Sequence, residues 1–350
     1  MYIKNIEINN FRNISNCYIE PGKKINFICG SNAQGKTNLI ESIYFSSIFK
    51  SFRTNIKADL IKKNENKLLI KIEVINNKVK NDLKIIYDRN KTKKILIDNK
   101  ENRNMYEIIN SIIYYPDEIS HLKSYPSYRR NIIDRSIFYI NNDYLNIFKK
   151  YLKCLKQRNF YLKNIDGPDV WRDQLIEYGS HIIFKRIVFI KRINEILMDI
   201  ENKSHLNEIY SIEYKKYKNE EIKDKLNSEF LKQEEKEKKY GYTLSGPHVD
   251  DVLFKINDSN INKYSSEGQK RSLLLSYKQA QIIDYKENKG YFPILLFDDI
   301  GNELDTSRKN NIFNKILENS GQVFITTTDF PQKNNNKLYK VDNGSFTELI

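Results

Sequence analysis

Apolar and polar positions change rhythm twice along the chain. Up to about Asn110 the rhythm is short. Met1-Tyr2-Ile3-Lys4-Asn5-Ile6-Glu7 alternates apolar and polar residues, which predicts a first β-strand rather than the apolar block of a secretory signal. Lys24 to Cys29, Leu68 to Ile75, Leu83 to Tyr87 and Lys94 to Ile97 predict further strands. In the second of these, Ile70, Ile72 and Val74 alternate with polar residues, the period of a half-buried strand. One helix interrupts them, with Leu39, Ile40, Ile43 and Ile48 along it.

From about Pro116 to Tyr240 the apolar residues fall three and four apart, clearest in Tyr144 to Leu155 and Trp171 to Ile200, and this predicts a mostly helical zone. Lys218 to Lys239 is dense in both signs of charge and reads as a solvated helix without chemistry. The α/β rhythm then returns. A helix is expected over about Glu267 to Tyr285, and buried strands at Pro293 to Phe297 and Gln322 to Thr326. No internal repeat and no low-complexity linker is evident. By this rhythm 1–115 and 240–350 read as α/β and 116–239 as helical.

Gly30-Ser31-Asn32-Ala33-Gln34-Gly35-Lys36-Thr37 has the spacing G-x-x-x-x-G-K-[ST]. Such glycines let the backbone curl so that successive N–H groups face a phosphate chain, and the following helix adds the positive end of its dipole. Lys36 would reach the β- and γ-phosphates and Thr37 would take a place on Mg²⁺, with Asn38 next in the helix. The pattern follows the apolar run Ile25 to Cys29 and opens an amphipathic helix, as a strand-loop-helix phosphate site requires. ATP with Mg²⁺ is therefore the expected ligand.

Such a loop needs a carboxylate on a neighbouring strand. Ile294-Leu295-Leu296-Phe297-Asp298-Asp299 supplies one at the end of four apolar residues. Asp298 is expected to hold Mg²⁺, and Asp299 to orient or deprotonate the attacking water, so Lys36 and Asp299 are the expected catalytic pair. Asp298 stands 262 positions beyond Lys36, by their numbers, and a large insertion between these motifs resembles the ABC ATPase group.

Ser265-Ser266-Glu267-Gly268-Gln269-Lys270-Arg271 resembles the signature of that group, whose core reads L-S-G-G-Q; Ser266, Gly268 and Gln269 match. By itself the segment also reads as a helix N-cap with Ser266 as the capping residue. Its place upstream of the acidic strand favours the signature, which in ABC ATPases meets the γ-phosphate held by the other subunit. Ile300 to Asp305 resembles the D-loop, with Asp305 a nucleotide-contact candidate, and Thr328 stands where ABC proteins often carry a switch histidine.

Charge and thiols narrow the class. Lys and Arg total 59 against 45 Asp and Glu, a net charge of +14, which favours a polyanionic partner, although the Lys, Asn and Ile bias of the chain inflates that figure. Arg53, Arg129 and Arg130 are candidate phosphate contacts, with surface charge or ion pairing as the alternative for each. No apolar run has the length of a membrane span, so no membrane partner is expected. Cys17, Cys29 and Cys154 lack metal-ligand spacing and fit a reducing cytosol.

Several further segments resemble one family. Ile8-Asn9-Asn10-Phe11-Arg12-Asn13 is similar to its N-x-F-R-N stretch, and Ser51-Phe52-Arg53-Thr54 with Asp59-Leu60-Ile61 to its S-x-R-T…L-I segment. Tyr115 to Ile119, Pro126 to Arg130 and Asp134 resemble its P-x-x-L…G-S-P-x-x-R-R…L-D block. Gly246-Pro247-His248 with Asp250-Asp251 resembles its G-P-H-R-D-D motif. Together these resemble the bacterial RecF family over nearly the whole chain. Ala33 and Tyr125 depart where glycine is usual, and Val249 where arginine is usual.

The resemblance implies an ABC-type P-loop ATPase core, α/β with mixed sheets and flanking helices, in which the chain ends 1–115 and 240–350 join as one discontinuous lobe, plus a mostly helical second lobe from 116–239. It implies a cytoplasmic, nucleoid-associated protein that dimerises on ATP and hydrolyses it slowly. It would bind DNA at single-strand gaps and double-strand/single-strand junctions, and work with RecR and RecO in loading recombinase. An SMC-type tether is disfavoured because the middle zone of roughly 125 residues lacks sustained heptads. An OLD-type nuclease is disfavoured because only about 20 residues follow Asp329, and a transporter ATPase by the basic charge and the RecF-like middle segments.

Overall fold

The computed structural model describes residues 1–102, 105–164, 169–204, 208–214, 217, 221–261, 265–299, 307–331 and 336–349. In chain order the elements are β1 (Tyr2–Phe11), β2 (Ile14–Ile19), β3 (Ile25–Cys29), α1 (Lys36–Ile48), β4 (Lys67–Asn76), β5 (Val79–Asp88), β6 (Lys93–Ile97), β7 (Lys100–Glu101) and β8 (Ser111–Tyr114). Then come α2 (Glu118–Ser124), α3 (Pro126–Ile140), α4 (Asn142–Asn164), α5 (Arg172–Ser204), β9 (Tyr210–Glu213), α6 (Ile222–Tyr240), β10 (Leu253–Ile256), β11 (Ser259–Asn260) and α7 (Glu267–Lys289). The chain finishes with β12 (Ile294–Phe297), α8 (Ser307–Glu318), β13 (Val323–Thr327), β14 (Lys337–Asp342) and β15 (Ser345–Leu349). Among the described residues no helix is long and apolar enough to cross a membrane.

Two compact units result, Met1–Glu118 with Tyr285–Ile350, and Ile119–Asp284. The first holds two six-stranded sheets. One is antiparallel, in the order β2-β1-β4-β5-β6-β7. The other runs β15-β14-β3-β13-β12-β8 and is parallel except for the edge strand β15. β4 keeps the alternation read from Ile70, Ile72 and Val74, and all three are buried. Every residue of β12 is buried, because β13 and β8 flank it and a parallel sheet is covered on both faces.

The expected amphipathic helix after the loop is a different object. α1 is buried nearly all round, including Glu41, Ser42, Ser46 and Ser47. Its apolar residues belong to one core with residues of both sheets, so polar positions have no solvent side to turn to. The serines solve this locally: Ser42 Oγ donates to Leu39 O at 2.7 Å and Ser46 Oγ to Ser42 O at 2.8 Å. Leu39, Ile40, Ile43 and Phe45 are fully buried, and each contributes roughly 1.5–3 kcal/mol. That anchoring fixes the loop the helix carries.

The second unit contains α3 to α6 and the small antiparallel sheet β11-β10-β9. Residues 240–284 group here by contact, whereas the rhythm of the sequence joined them to the α/β segments. Long-range pairing explains this grouping. β10 pairs with β9, Arg186 bonds the Pro247 carbonyl at 2.7 Å, and Arg129 clasps Asp251 at 2.9 and 2.8 Å. β9 is also a strand inside the zone read as helix. α6 is not solvated all round: Ile222, Leu226 and Phe230 are buried, and buried Glu237 pairs with Arg158 at 2.6 Å.

Candidate nucleotide-binding site

β3 delivers the loop and Gly35 caps α1. Gly30 has φ 156° and Gly35 has φ 113°. A Cβ on Gly30 would stand 2.6 Å from the Val341 carbonyl oxygen, and one on Gly35 2.7 Å from Asn13 Oδ1. Both positions therefore exclude side chains. Ala33 takes φ 64°, so the backbone does adopt the left-handed form at the departure from glycine, at a cost of about 1 kcal/mol that the burial of α1 outweighs. Among the described residues, no N–H group from Asn32 to Gly35 makes a backbone hydrogen bond. A curled run of such donors ahead of a helix N-terminus suits a phosphate chain.

The loop is braced from outside. Gln34 O accepts from the Gly344 N–H at 2.8 Å and from Asn13 Nδ2 at 3.1 Å, while Gln34 Oε1 accepts from the Asn343 N–H at 2.7 Å. Ser31, Asn32 and Ala33 are exposed. Lys36 is buried, and its ammonium donates to Gly30 O at 2.6 Å and Ser31 O at 2.9 Å. Burial lowers the Lys36 pKa, against the pull of Asp299 and Asp298.

The acidic strand meets the loop as the sequence predicts. Thr37 Oγ1 donates to Asp298 Oδ1 at 2.9 Å. The Asp298 N–H is fixed on Tyr114 O of β8 at 2.9 Å. Asp298 is 6% exposed, and burial pushes its carboxyl above the usual range, opposed by hydrogen bonds from Thr326 and Thr37 and by the charge of Arg53. A buried carboxylate beside a loop threonine suits a hard divalent cation, so both predicted Mg²⁺ ligands lie together. Asp299 follows at φ 49°, half-buried.

Sequence reasoning missed three parts of the site. Thr326, fully buried at the end of β13, donates to Asp298 Oδ1 at 2.7 Å and accepts from the Asp299 N–H at 2.8 Å. The threonine run 326–328 was the available signal, but it drew attention to Thr328. Second, Glu41 is fully buried beneath Arg12, which grips it at 2.9 and 2.8 Å, with Arg53 at 3.4 Å and Ser51 also bonded to it. Third, a cleft of about 680 Å³ opens beside the first turn of α1, lined by Arg12, Asn13, Asn38, Arg53, Lys62 and Arg89 among others. Asn38 joins its wall, bonding Asn13 at 2.7 Å and Arg53 at 2.8 Å.

The other candidates divide. Ser266 and Gln269 form a reciprocal capping box: the Ser266 N–H donates to Gln269 Oε1 at 2.9 Å, and the Gln269 N–H to Ser266 Oγ at 3.2 Å. Ser266 is exposed at the start of α7, in the second unit. Among the described residues, a Cβ on Gly268 would meet only Ser266 Oγ, at 3.8 Å. Asp305, with the rest of Ile300 to Leu304, lies outside the described residues. Arg129 is 6% exposed and clasped by Asp251, which makes it a structural ion pair, and Arg130 donates to the Asp250 carbonyl at 2.5 Å. Val249 is 44% exposed, so the departure from arginine removes a surface charge and leaves the core untouched.

Comparison with known proteins fits this geometry. The model of the AAA ATPase domain matches residues 1–327. The DNA replication and repair protein RecF of Pediococcus pentosaceus is 37% identical over 347 residues, 94% of this chain and 92% of that one. The chain belongs to the RecF family. RecF of Ligilactobacillus salivarius is 34% identical over 99% of this chain and 98% of its own length. A solved structure of the recombination mediator protein RecF-ATPrS in the RecFOR pathway has a TM-score of 0.89 at 30% identity, covering 100% of this chain and 98% of that one. An Smc head domain from Pyrococcus furiosus, at 15% identity and a TM-score of 0.57, shares the fold. The architecture is that of an ABC-type ATPase with mixed sheets and flanking helices.

Proposed function

We propose that this chain is an ATP-switched, DNA-binding protein of recombinational repair that closes as a dimer on ATP. Membership of the RecF family gives it an ATP-dependent role in that process. The observation that carries the ATP reading is the meeting of Thr37 and Thr326 on the buried Asp298 carboxylate, beside a loop whose N–H groups from Asn32 to Gly35 make no backbone hydrogen bond among the described residues.

In this reading the loop from Gly30 to Thr37 cradles the phosphates, and Lys36 exchanges its bonds to Gly30 O and Ser31 O for phosphate oxygens. Thr37 and Asp298 hold Mg²⁺, which, when bound, neutralises charge on the phosphates. Asp299 orients water for attack on the γ-phosphate. The dipole and N–H groups at the start of α7 complete the site on a second copy, through Ser266, Gly268 and Gln269. Gly268 supports this: its own chain leaves room for a side chain, and glycine costs about 1 kcal/mol in a helix, so an approach from outside accounts for it. Asp305 is assigned to the same shared site by resemblance. Hydrolysis removes the bridging phosphate and releases the clamp.

Contact with DNA is mainly to phosphates, which makes it sequence-independent and salt-sensitive. Gaps and double-strand/single-strand junctions are the expected DNA, with RecR- and RecO-type mediators as partners and a cytoplasmic, nucleoid-associated location. The deciding experiment is fluorescence binding to gapped DNA with and without ATP across a salt series. Tighter binding with ATP is expected at each salt concentration; equal binding would remove the switch.

A further inference from the structure

Two adjacent carboxylates in the site need fixed but different placements. Asp298 must face the loop threonine, while Asp299, one residue on, must reach the far end of the phosphate chain. Asp299 stands on a left-handed backbone, φ 49°, which a non-glycine residue adopts at a cost of about 1–2 kcal/mol. Something must hold it there.

One hydroxyl does both jobs. Thr326 Oγ1 donates its proton to Asp298 Oδ1 at 2.7 Å and accepts the Asp299 N–H at 2.8 Å. Its only proton goes to the carboxylate, so the oxygen lone pairs are left for the N–H. Thr326 is fully buried, and β13 runs between β3, which carries the loop, and β12, which carries the carboxylates. The register sets Thr326 beside Ile28 of β3, and its neighbour Ile325 beside Phe297 of β12. The hydroxyl thus holds the Asp298 carboxylate and the Asp299 backbone N–H from a strand to which neither residue belongs. Among the described residues, both side-chain bonds to Asp298 end on Oδ1, one from the loop helix and one from Thr326.

We infer that Thr326 is a positioning residue that locks Asp298 toward Mg²⁺ and pins the Asp299 backbone so that its carboxylate reaches the attacking water. The inference rests on the roles given above to Asp298 and Asp299. It differs from the expectation for this strand end, which looked to Thr328. The chemistry required is an uncharged hydroxyl that donates one hydrogen bond and accepts another; a methyl in its place leaves a buried carboxylate short of a donor and a half-buried N–H without this acceptor.

The test uses the full-length protein with Thr326→Val, Thr326→Ser and Asp299→Asn. Affinity for a fluorescent ATP analogue is measured in EDTA and in Mg²⁺, and single-turnover hydrolysis is measured separately. In EDTA all three variants should bind like the native protein. Thr326→Val should lose most of the Mg²⁺-dependent gain in affinity and hydrolyse about 10–100-fold more slowly, the usual scale for an outer partner of a metal ligand. Thr326→Ser, which keeps the hydroxyl and loses the methyl, should restore both. Native Mg²⁺ response and rate in Thr326→Val would overturn the inference. So would a Thr326→Ser as defective as the valine variant, because packing by the methyl would then be the cause. If Thr326→Val fails to fold, Thr326→Ala is read by the same two measurements against Thr326→Ser. Fast hydrolysis by Asp299→Asn would instead sink the role of Asp299, whatever the threonine variants do.

Discussion

The two ends of the proposed nucleotide site are built in opposite ways. At Gly30 to Thr37 and Asp298 the groups are cross-braced, with Lys36 and Asp298 buried: Lys36 on two loop carbonyls, Thr37 and Thr326 on one carboxylate oxygen, Gln34 on the turn at Asn343 and Gly344. At Ser266 to Gln269 the groups are exposed or half-buried, held by a capping box and by the pairing of Glu267 with Lys270 and Lys123. The first end is preorganised by the chain itself. The second offers a helix N-terminus and a glycine for which its own chain supplies no steric reason. Damage to the first should therefore alter binding and chemistry within one chain, whereas damage to the second should show only when two chains meet.

The largest expected effect is at Asp299. Asp299→Asn should bind ATP and dimerise normally but slow hydrolysis by about 10²–10⁴-fold, so the dimer persists; stopped turnover followed by sedimentation reads this, and rapid turnover would reassign the water-positioning role. Lys36→Ala comes next. Losing charge-assisted bonds of about 3 kcal/mol should weaken ATP by roughly 100-fold in a titration and remove ATP-dependent dimerisation with it. Retained dimerisation at ATP concentrations that just saturate the native protein would count against the shared site.

The exposed end gives a sharper contrast. Gly268→Ala should leave thermal stability unchanged or raise it by up to about 1 kcal/mol, because the helix gains propensity and meets no clash. It should nevertheless lose ATP-dependent dimerisation. Ser266→Asp should behave likewise, since aspartate caps a helix as well as serine but would set a negative charge against phosphate. Dimerisation by both variants at native ATP concentrations would break the comparison and leave Ser266 as a cap alone. The smallest effect is expected at Ala33. Ala33→Gly removes left-handed strain but loosens the unfolded chain, for a net gain of about 0.5 kcal/mol or less in urea unfolding, with ATP affinity unchanged.

Much of this arrangement was legible in order along the chain. The loop spacing, the apolar strand before it, and the four apolar residues ahead of Asp298 each carry their meaning locally, through a period or a motif. Where the reading failed, the deciding contact was distant. α1 looked amphipathic because its polar serines were expected to face water; they are buried because a second sheet covers them. The charged stretch before Tyr240 looked solvated, yet buried Glu237 answers Arg158 from a different helix. For Arg129 the sequence left phosphate contact and ion pairing both open, and Asp251, 122 residues away, decides for the ion pair.

The sequence by itself determined the strand-loop-helix that carries the expected phosphate loop, because it depends on residues within a few positions of one another. It also set the buried character of β12, since four consecutive apolar residues have no other stable environment. Only the tertiary structure decided which strand stands between loop and carboxylates. β13 enters the sheet beside β3, pairing residue 326 with residue 28, and so brings a buried hydroxyl to the Asp298 carboxylate and the Asp299 N–H just past the end of β12. No local pattern encodes that meeting, because a threonine at a strand end reads the same whatever strand it is laid beside.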